Sequence, residues 1–408
     1  MSIGKRVKKM INRNIPKIRF KEFINNWNNY KLGQLGNFKS GIGFPDSQQG
    51  GTEGIPFFKV SDMNNIGNET EMRNANNYVT QEQIMKNSWK VFNETPAIIF
   101  AKVGAALMLN RKRLVTRPFL IDNNTMSYSF DESWDKDFGL TLFQTINLPK
   151  YAQIGALPSY NASDIAMIKV NVPNVQEQST IGSLFRTIDD LLVSYKDNLA
   201  NDQSLKTTML SKMFPKAGQT VPEIRLDGFE GVWEEKEFSK LVKRVTQSSD
   251  SDSLPKVEFE DIISGQGRLN KDISSKFDNR KGIHFKPGYT LYGKLRPYLN
   301  NWLLPKFEGV ALGDFWVFDP NGNDSNFIYY LVQSSRYQKV ANDTSGTKMP
   351  RSDWKSVSST VFAIPQTVAE QKAIGSYFSN LDNLIDAHQE KISQLETLKK
   401  KLLQDMFI

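Results

Sequence analysis

The sequence predicts an α+β protein: two globular domains separated by a pair of long antiparallel coiled-coil helices, with a pseudo-two-fold internal repeat. Three observations predict it. The chain of 408 residues is too long for one ordinary core. One segment occurs twice, and each copy starts a run of apolar residues with coiled-coil spacing. The predicted boundaries are residues 1–172 for the first domain with its lead-in segment, 173–215 for the central helix, 216–365 for the second domain and 366–408 for the C-terminal helix.

The repeat is clearest between residues 177–193, EQSTIGSLFRTIDDLLV, and residues 370–386, EQKAIGSYFSNLDNLID. Eight of these 17 positions are identical at a constant offset of 193 residues. A second pair, PKIRFKEFINNW from residue 16 and PEIRLDGFEGVW from residue 222, has an offset of 206. The chain is therefore a doubled unit of lead-in segment, variable domain and long helix.

The two variable domains, which we call head one (residues 28–172) and head two (residues 234–364), match each other only faintly. Short apolar runs bounded by Gly, Pro, Asn and Asp predict that both are rich in strands. The clearest runs lie at 55–60, 97–103, 289–295 and 311–318.

Apolar residues in the repeated segments alternate spacings of four and three, which is typical of a coiled-coil seam. The predicted seam residues are Ile181, Phe185, Ile188 and Leu192 in the first copy, and Ile374, Phe378, Leu381 and Ile385 in the second. So long and narrow a stripe needs a partner helix, and the other copy is the obvious one. The linker at 216–222 favours antiparallel packing, and parallel packing is the alternative.

The composition excludes several kinds of active site. With no cysteine, the chain lacks disulfides, thiolate nucleophiles and zinc–thiolate sites. It has two histidines, His284 in a basic stretch and His388 in the helix seam, and it lacks a G-x-x-x-x-G-K-[ST] phosphate loop. The basic N-terminus has no signal-peptide apolar run, and no segment reaches the roughly 20 apolar residues of a membrane span. We therefore expect no catalytic residues, no metal site, no membrane association and a cytoplasmic location.

The charge points to a polyanionic partner. The net charge is +8, and Lys and Arg hold phosphates while Arg and Asn also hydrogen-bond base edges. The predicted DNA contacts are Lys39, Lys59, Lys102, Arg111, Arg113, Tyr160 and Asn161 in head one, and Arg268, Lys294, Arg296, Tyr298, Lys348, Arg351 and Trp354 in head two. Two short phrases align between the heads, at Lys102 with Lys294 and at Pro158 with Pro350. For any one of these residues, a solvated surface position is the alternative.

The doubled pattern P-x(3–4)-EQ-x-x-IG-x-x-F-x-x-[IL]-D, at 173–189 and 365–382, carries a family resemblance. The chain resembles the specificity subunit of type I restriction-modification enzymes over essentially its whole length. The phrases LYGKLRPYLN and SGTKMPRSDW in head two are also similar to phrases in the recognition domains of that family.

The resemblance implies that each head is a target-recognition domain for one half of a bipartite, asymmetric double-stranded DNA target. The helices would set the unread spacer and dock two modification subunits, which bind S-adenosylmethionine and methylate adenine. Restriction subunits that use ATP and Mg would then translocate and cut the DNA. No cofactor is expected in this chain itself.

Two other functions compete with this interpretation. A self-sufficient DNA methyltransferase or nuclease would need catalytic motifs that the sequence does not show. A two-headed coiled-coil scaffold that does not bind DNA would show no salt-dependent affinity for a duplex.

Overall fold

The computed structural model describes residues 14–153, 157–274, 279–343 and 348–408. The chain divides into two compact units. The first consists of the chain up to Ser194 together with Ile392–Ile408, and the second is Tyr195–Lys391. Each long helix contributes its two ends to different units, so the helices are not separate domains in this division.

The first unit holds head one. Its described strands are β1 (Asn28–Lys31), β2 (Gly36–Ser40), β3 (Ile55–Phe58), β4 (Tyr78–Val79), β5 (Ala97–Ala101), β6 (Lys112–Val115), β7 (Leu120–Ile121), β8 (Thr125–Phe130) and β9 (Lys169–Val172). The helices are α1 (Gln81–Lys86), α2 (Ala105–Met108), α3 (Lys136–Thr145), α4 (Ala162–Ala166) and the long α5 (Val175–Lys212). Turns of 3₁₀ helix lie at Leu32–Gln34, Asp46–Gln48, Val60–Asn64 and Leu148–Tyr151.

The second unit holds head two. Its described strands are β10 (Glu234–Glu237), β11 (Lys243–Val245), β12 (Ser248–Ser249), β13 (Lys256–Val257), β14 (Ile262–Ile263), β15 (Arg268–Leu269), β16 (Gly282–Phe285), β17 (Thr290–Gly293), β18 (Trp302–Leu303), β19 (Gly309–Ala311), β20 (Phe315–Asp319) and β21 (Val361–Ile364). The helices are α6 (Phe238–Leu241), α7 (Ser325–Leu331), α8 (Ser335–Ala341), α9 (Trp354–Ser359) and the long α10 (Val368–Asp405). Turns of 3₁₀ helix lie at Phe259–Asp261 and Pro297–Leu299.

Each head is built on a four-stranded antiparallel sheet, in the order β2-β8-β5-β6 in head one and β11-β20-β17-β18 in head two. The central strands β5 and β17 are fully buried because their sequences, AIIFA and TLYG, offer no charged side chain. The predicted apolar runs became β3, β5, β17 and β20, so the α+β class is confirmed. The first and last strands of each head pair with each other, β1 with β9 and β10 with β21.

Within each unit the two long helices run antiparallel, as predicted. In the first unit Lys399 Nζ lies 2.6 Å from Asp189 Oδ1. In the second unit Lys206 Nζ lies 2.6 Å from Asp382 Oδ1. Both aspartates belong to the repeated motif, so the motif supplies the carboxylate of the same ion pair in each unit.

The predicted seam residues are buried within their own units, except Ile385, which is partly exposed. Ile181 and Phe185 belong to the core of the first unit with Trp27 of the lead-in segment and Phe138 of head one. Ile374 and Phe378 belong in the same way to the core of the second unit. These four side chains are buried by packing within their own units, so their surfaces are not available to a partner subunit.

A buried carboxylate joins each lead-in segment to its helix. Arg19 Nε and Trp27 Nε1 donate to Glu177 Oε1 over 2.6 and 3.1 Å. Glu177 is only 1% exposed. Two strong donors compensate the desolvation of this charge, which explains why Arg, Trp and Glu recur together in both halves.

The second unit repeats this contact. Arg225 Nε and Trp233 Nε1 donate to Glu370 Oε1 over 2.7 and 3.0 Å. The hydrogen bond with Glu370 raises the pKa of Arg225 above its ordinary value. We call these two arrangements the carboxylate clamps.

The glutamine and glycine of the motif attach the helix to the head. Gln178 Oε1 accepts from the backbone N of Asp135, the residue that caps α3, over 3.0 Å. Gln371 Oε1 accepts from Asp324, the cap of α7, over the same distance. A Cβ at Gly182 would lie 2.6 Å from the backbone N of Phe138, so only glycine allows the two helices this close.

Replacing Glu177 with Ala should lower the free energy of unfolding by about 3–5 kcal/mol, because Arg19 and Trp27 Nε1 lose their buried acceptor. Urea denaturation of wild type and variant measures this. Arg186→Ala is the matched control: its guanidinium, in a side chain 59% exposed, lies 3.6 Å from Asp137 and should contribute under about 1 kcal/mol. Equal losses in the two variants would contradict the role given to the clamp.

Lys112 in β6 makes stability depend on pH. Its Nζ donates to Ile146 O over 2.6 Å, and burial lowers its pKa to about 7. The unfolded chain therefore holds this proton more tightly than the folded one, and the free energy of unfolding should rise between about pH 7 and pH 10. Lys112→Met should flatten that rise in urea titrations at several pH values. The same slope in both proteins would disprove it.

Candidate nucleic-acid interface

Head one carries two chain segments, residues 102–104 and 158–160, that are joined backbone to backbone. Gly104 N donates to Pro158 O over 2.9 Å, and Tyr160 N donates to Lys102 O over 3.3 Å. Val103 and Ser159 form an antiparallel β-bridge between these bonds. We call this pairing the bridge of head one.

Head two has the same bridge, formed by residues 294–296 and 350–352. Arg296 N donates to Pro350 O over 2.7 Å, and Ser352 N donates to Lys294 O over 2.8 Å. Leu295 and Arg351 form the β-bridge. Every partner is displaced by 192 residues from its counterpart, so the phrase alignment predicted at Lys102/Lys294 and Pro158/Pro350 is confirmed by the hydrogen bonds.

Both bridges contain a residue with positive φ. Gly104 has φ of 78° and its counterpart Arg296 has φ of 48°, but their ψ angles of −168° and 61° differ, so only Arg296 is in the left-handed helical conformation. Glycine adopts this region freely, whereas an arginine there is strained by about 1 kcal/mol or more. Strain of this kind is retained when the side chain has a use at that position.

The bridge of head two collects cationic side chains. Arg296, Lys348 and Arg351 are exposed, and Tyr298 in the adjoining 3₁₀ turn is 58% exposed. Asp314, which sequence reasoning missed, lies 3.5 Å from Lys294 Nζ and 3.0 Å from Arg351 Nη2. Five predicted contact residues (Lys294, Arg296, Tyr298, Lys348 and Arg351) are therefore brought together, with one carboxylate among four cations.

The bridge of head one is less charged. Lys102 is half-buried and Asn161 is exposed, at the N-cap of α4. Tyr160, in contrast, is 3% exposed, and its hydroxyl donates to Ala101 O inside the core. The prediction that Tyr160 contacts DNA is wrong, because its ring fills the core beneath the bridge.

The other four predicted DNA-contact residues of head one lie outside the bridge, and their side chains interact with other residues of the same head. Lys39 Nζ lies 2.6 Å from Glu94, and Lys59 Nζ donates to Gln49 over 3.1 Å. Arg111 donates to Asn64 Oδ1. Arg113 donates to Met63 O over 3.3 Å, and its burial lowers its pKa. The structure does not place any of these four on the described bridge.

Two predicted contacts of head two serve packing. Arg268 Nη1 lies 2.9 Å from Asp386 in α10, which ties the β14–β15 hairpin to the long helix. Trp354 is half-buried at the start of α9, where its ring packs on Trp316 with 5.3 Å between centroids. Arg244 lies 4.6 Å above the same Trp354 ring. Their contact with DNA stays a prediction, and their positions favour a structural role.

In the described ranges, no group of three or more His, Cys, Asp or Glu is placed to hold a metal ion. Within the same ranges, no helix combines the length and apolar character needed to cross a bilayer. The exposed Arg296, Lys348 and Arg351 with Tyr298 make the bridge of head two a basic and aromatic surface, which is suited to binding a polyanion.

Two heads of different surface, each fixed by the same motif to a long helix, define a two-headed recognition protein. The chain belongs to the family described as type I restriction modification DNA specificity domain, whose model matches residues 24–201 and 261–397.

Two relatives from Methanocaldococcus jannaschii are named as type I restriction enzyme specificity subunits. The MjaX subunit is 22% identical over 293 residues, and the MjaVIII subunit is 21% identical over 276 residues. These matches cover 64% and 60% of this chain, and they span 64% and 63% of the relatives' own lengths.

Solved structures share the fold. The S subunit of a type I restriction-modification system from M. genitalium superposes with a TM-score of 0.64 at 13% identity, covering 97% of this chain and 99% of that one. A chain from a structural study of assembly and conformational transition of the type I system gives 0.50, also at 13% identity, covering 92% of this chain and 96% of its own.

The variant Arg296→Gly should show separately what the left-handed backbone at Arg296 costs in stability and what its side chain contributes to DNA binding. The free energy of unfolding should stay level or rise by up to about 1 kcal/mol, because glycine tolerates the left-handed backbone. Affinity for duplex DNA should fall, and the slope of log K against log salt should drop by about one phosphate contact. Arg296→Lys is the control that keeps the charge. Unchanged binding by the glycine variant would exclude Arg296 from the interface.

Proposed function

We propose that this chain is the DNA-specificity subunit of a type I restriction-modification complex, and that each head recognises one half of a bipartite, asymmetric target. One observation carries the proposal: the same bridge and the same helix attachment occur twice, while the side chains on the two bridges differ. The same pattern of backbone hydrogen bonds supports one way of docking on DNA, and different side chains support different half-sites.

The side chains that differ lie on the bridges and on the strand ends bonded to them. Ser159 of head one corresponds to Arg351 of head two. Asn124 corresponds to Asp314, because the backbone carbonyl of Asn124 accepts from Lys102 N and that of Asp314 accepts from Lys294 N. Arginine, asparagine and aspartate have different hydrogen-bonding preferences among the bases. Two half-sites of unlike sequence therefore follow from this proposal.

The long helices are proposed to set the unread spacer and to dock two modification subunits. Large apolar residues recur on them in exposed positions at the offset of 193: Val175 and Val368 (51% and 44% exposed), Leu191 and Leu384 (40% and 45%), and Leu205 and Leu398 (40% and 46%). Exposed apolar residues in matched sets are suited to two copies of one partner. They are better docking candidates than the buried seam residues.

Catalysis is proposed to reside in the partners. The modification subunits would supply S-adenosylmethionine-dependent adenine methylation, and motor-nuclease subunits would supply ATP- and Mg-dependent translocation and cleavage. This chain would direct both to the same sites in the cytoplasm. That division of labour would leave this chain the task of binding DNA, for which the basic side chains and Tyr298 on the bridge of head two are suited.

The proposal can be tested by lengthening both long helices and measuring the DNA spacer between the half-sites. Seven residues inserted into both helices, within 195–206 and at the matching place in 388–399, lengthen each helix by about 10 Å, or roughly three base pairs of DNA. Methylome sequencing of a host that expresses the variant with its modification subunit should show unchanged half-sites separated by a longer spacer. A heptad keeps the apolar seam in register.

Other outcomes would favour the competing functions. An unchanged spacer in the variant would refute the measuring role of the helices. A wild-type complex without salt-dependent duplex binding would favour a scaffold that does not bind DNA. Methylation by the purified chain with S-adenosylmethionine, or cleavage with Mg²⁺, would reveal a self-sufficient enzyme.

A further inference from the structure

Each bridge exposes one large apolar side chain at the same place. Leu157 directly precedes Pro158 and is 61% exposed, and Met349 directly precedes Pro350 and is 49% exposed. They are counterparts at the offset of 192 that relates the two bridges. We call Leu157 and Met349 the apolar tips.

The bridges hold the backbone beneath the tips. The carbonyl that follows each tip, of Pro158 or Pro350, accepts from the positive-φ residue of the opposite segment over 2.9 or 2.7 Å. A Cβ at Gly104 would lie 3.7 Å from Leu157 Cδ1, so the leucine side chain lies beside the paired segment. Each tip therefore directly precedes a proline whose carbonyl is held by the same backbone hydrogen bond.

Core packing does not explain the tips. Neither residue belongs to a described hydrophobic cluster. Full burial of such a side chain is worth about 1.5–3 kcal/mol, and about half of that is not gained while Leu157 and Met349 are 61% and 49% exposed. Single exposed apolar residues are common on protein surfaces, so the inference rests on the matched position of the two tips in otherwise divergent heads.

The charges around the tips indicate what covers them. Met349 lies between Lys348 and Arg351 in the chain, and the backbone N of Arg296 donates a hydrogen bond to the carbonyl of Pro350, the residue after Met349. The side chains of Lys348, Arg351 and Arg296 are all exposed. In head one, the bridge contains Lys102, which is half-buried. An apolar side chain close in the chain to exposed cations, as in head two, fits a ligand with a charged outer backbone and an apolar interior, which describes duplex DNA.

We propose that Leu157 and Met349 press against the bases of the DNA target, one in each half-site, while the neighbouring cations hold the phosphates. The inference rests on the proposed function and adds a contact that phosphate binding alone does not require. Contact between apolar side chains and bases needs no counterion release, so it contributes affinity that does not depend on salt.

The experiment uses the full chain assembled with its modification subunit, and duplexes with both half-sites or only one intact. Leu157→Ala should weaken binding to the half-site recognised by head one, and Met349→Ala should weaken binding to the half-site recognised by head two. Each loss of affinity should be on the order of ten- to thirty-fold. The slope of log K against log salt should remain that of wild type. Leu157→Asn and Met349→Gln, which keep the size but not the apolar character, should behave like the alanine variants.

Controls are exposed apolar residues away from the bridges: Met85→Ala (65% exposed) in the first unit and Val232→Ala (59% exposed) in the second. They should bind like wild type, and thermal unfolding should confirm that all variants fold. The proposal would be overturned if the tip variants bind DNA like wild type. It would also be overturned if they fail to assemble with the modification subunit when no DNA is present. A wild-type complex without sequence-specific binding would overturn the proposed function as well.

Discussion

Both units depend on the carboxylate clamp, in which a buried glutamate at the start of a long helix satisfies an arginine and a tryptophan of the lead-in segment. Glu177 and Glu370 are almost completely buried, so neither charge can be solvated by water. Each must keep its donors in place, which fixes the lead-in segment on the helix. The adjoining glutamine and glycine then place a head helix against the same turn. Heads of unlike sequence can therefore be carried on a constant attachment.

Much of this arrangement could be predicted from the sequence, because the repeated residues are the ones with obligatory partners. The doubled Asp189 and Asp382 marked an ion pair made twice between antiparallel helices. What the repeat could not show was where its apolar residues point. Phe185 belongs to the same core as Phe138 of its own head, and both rings pack on Phe407, which follows the end of α10, with centroid distances of 5.9 and 5.6 Å. Phe185 is therefore not available to a partner subunit. A heptad pattern does not distinguish packing against a helix from packing against a domain.

The candidate site was predictable only at its backbone. Aligned phrases located both bridges, since the same hydrogen bonds require similar turns. Side-chain roles were harder, because type and position along the chain do not determine burial. Tyr160 resembled a surface aromatic, yet alternation along its segment turns it into the core. Arg268 resembled a DNA contact, yet its nearest carboxylate belongs to the helix. Asp314 carried no signal, since an acidic residue is unexpected on a basic face.

The lead-in segments show one further property of the chain. In the second unit, Ile224 N donates to Lys212 O across a short connection, over 3.0 Å. In the first unit, Ile18 N makes the same bond to Asp405 O, over 2.9 Å, although these residues lie near opposite ends of the sequence. A peptide link from beyond Asp405 to before Ile18 would reproduce the connection already present in the second unit. The pairing of a lead-in segment with the end of a long helix therefore does not require the two to be adjacent in the chain, and a break between Lys212 and Ile224 should leave the same hydrogen bond in place.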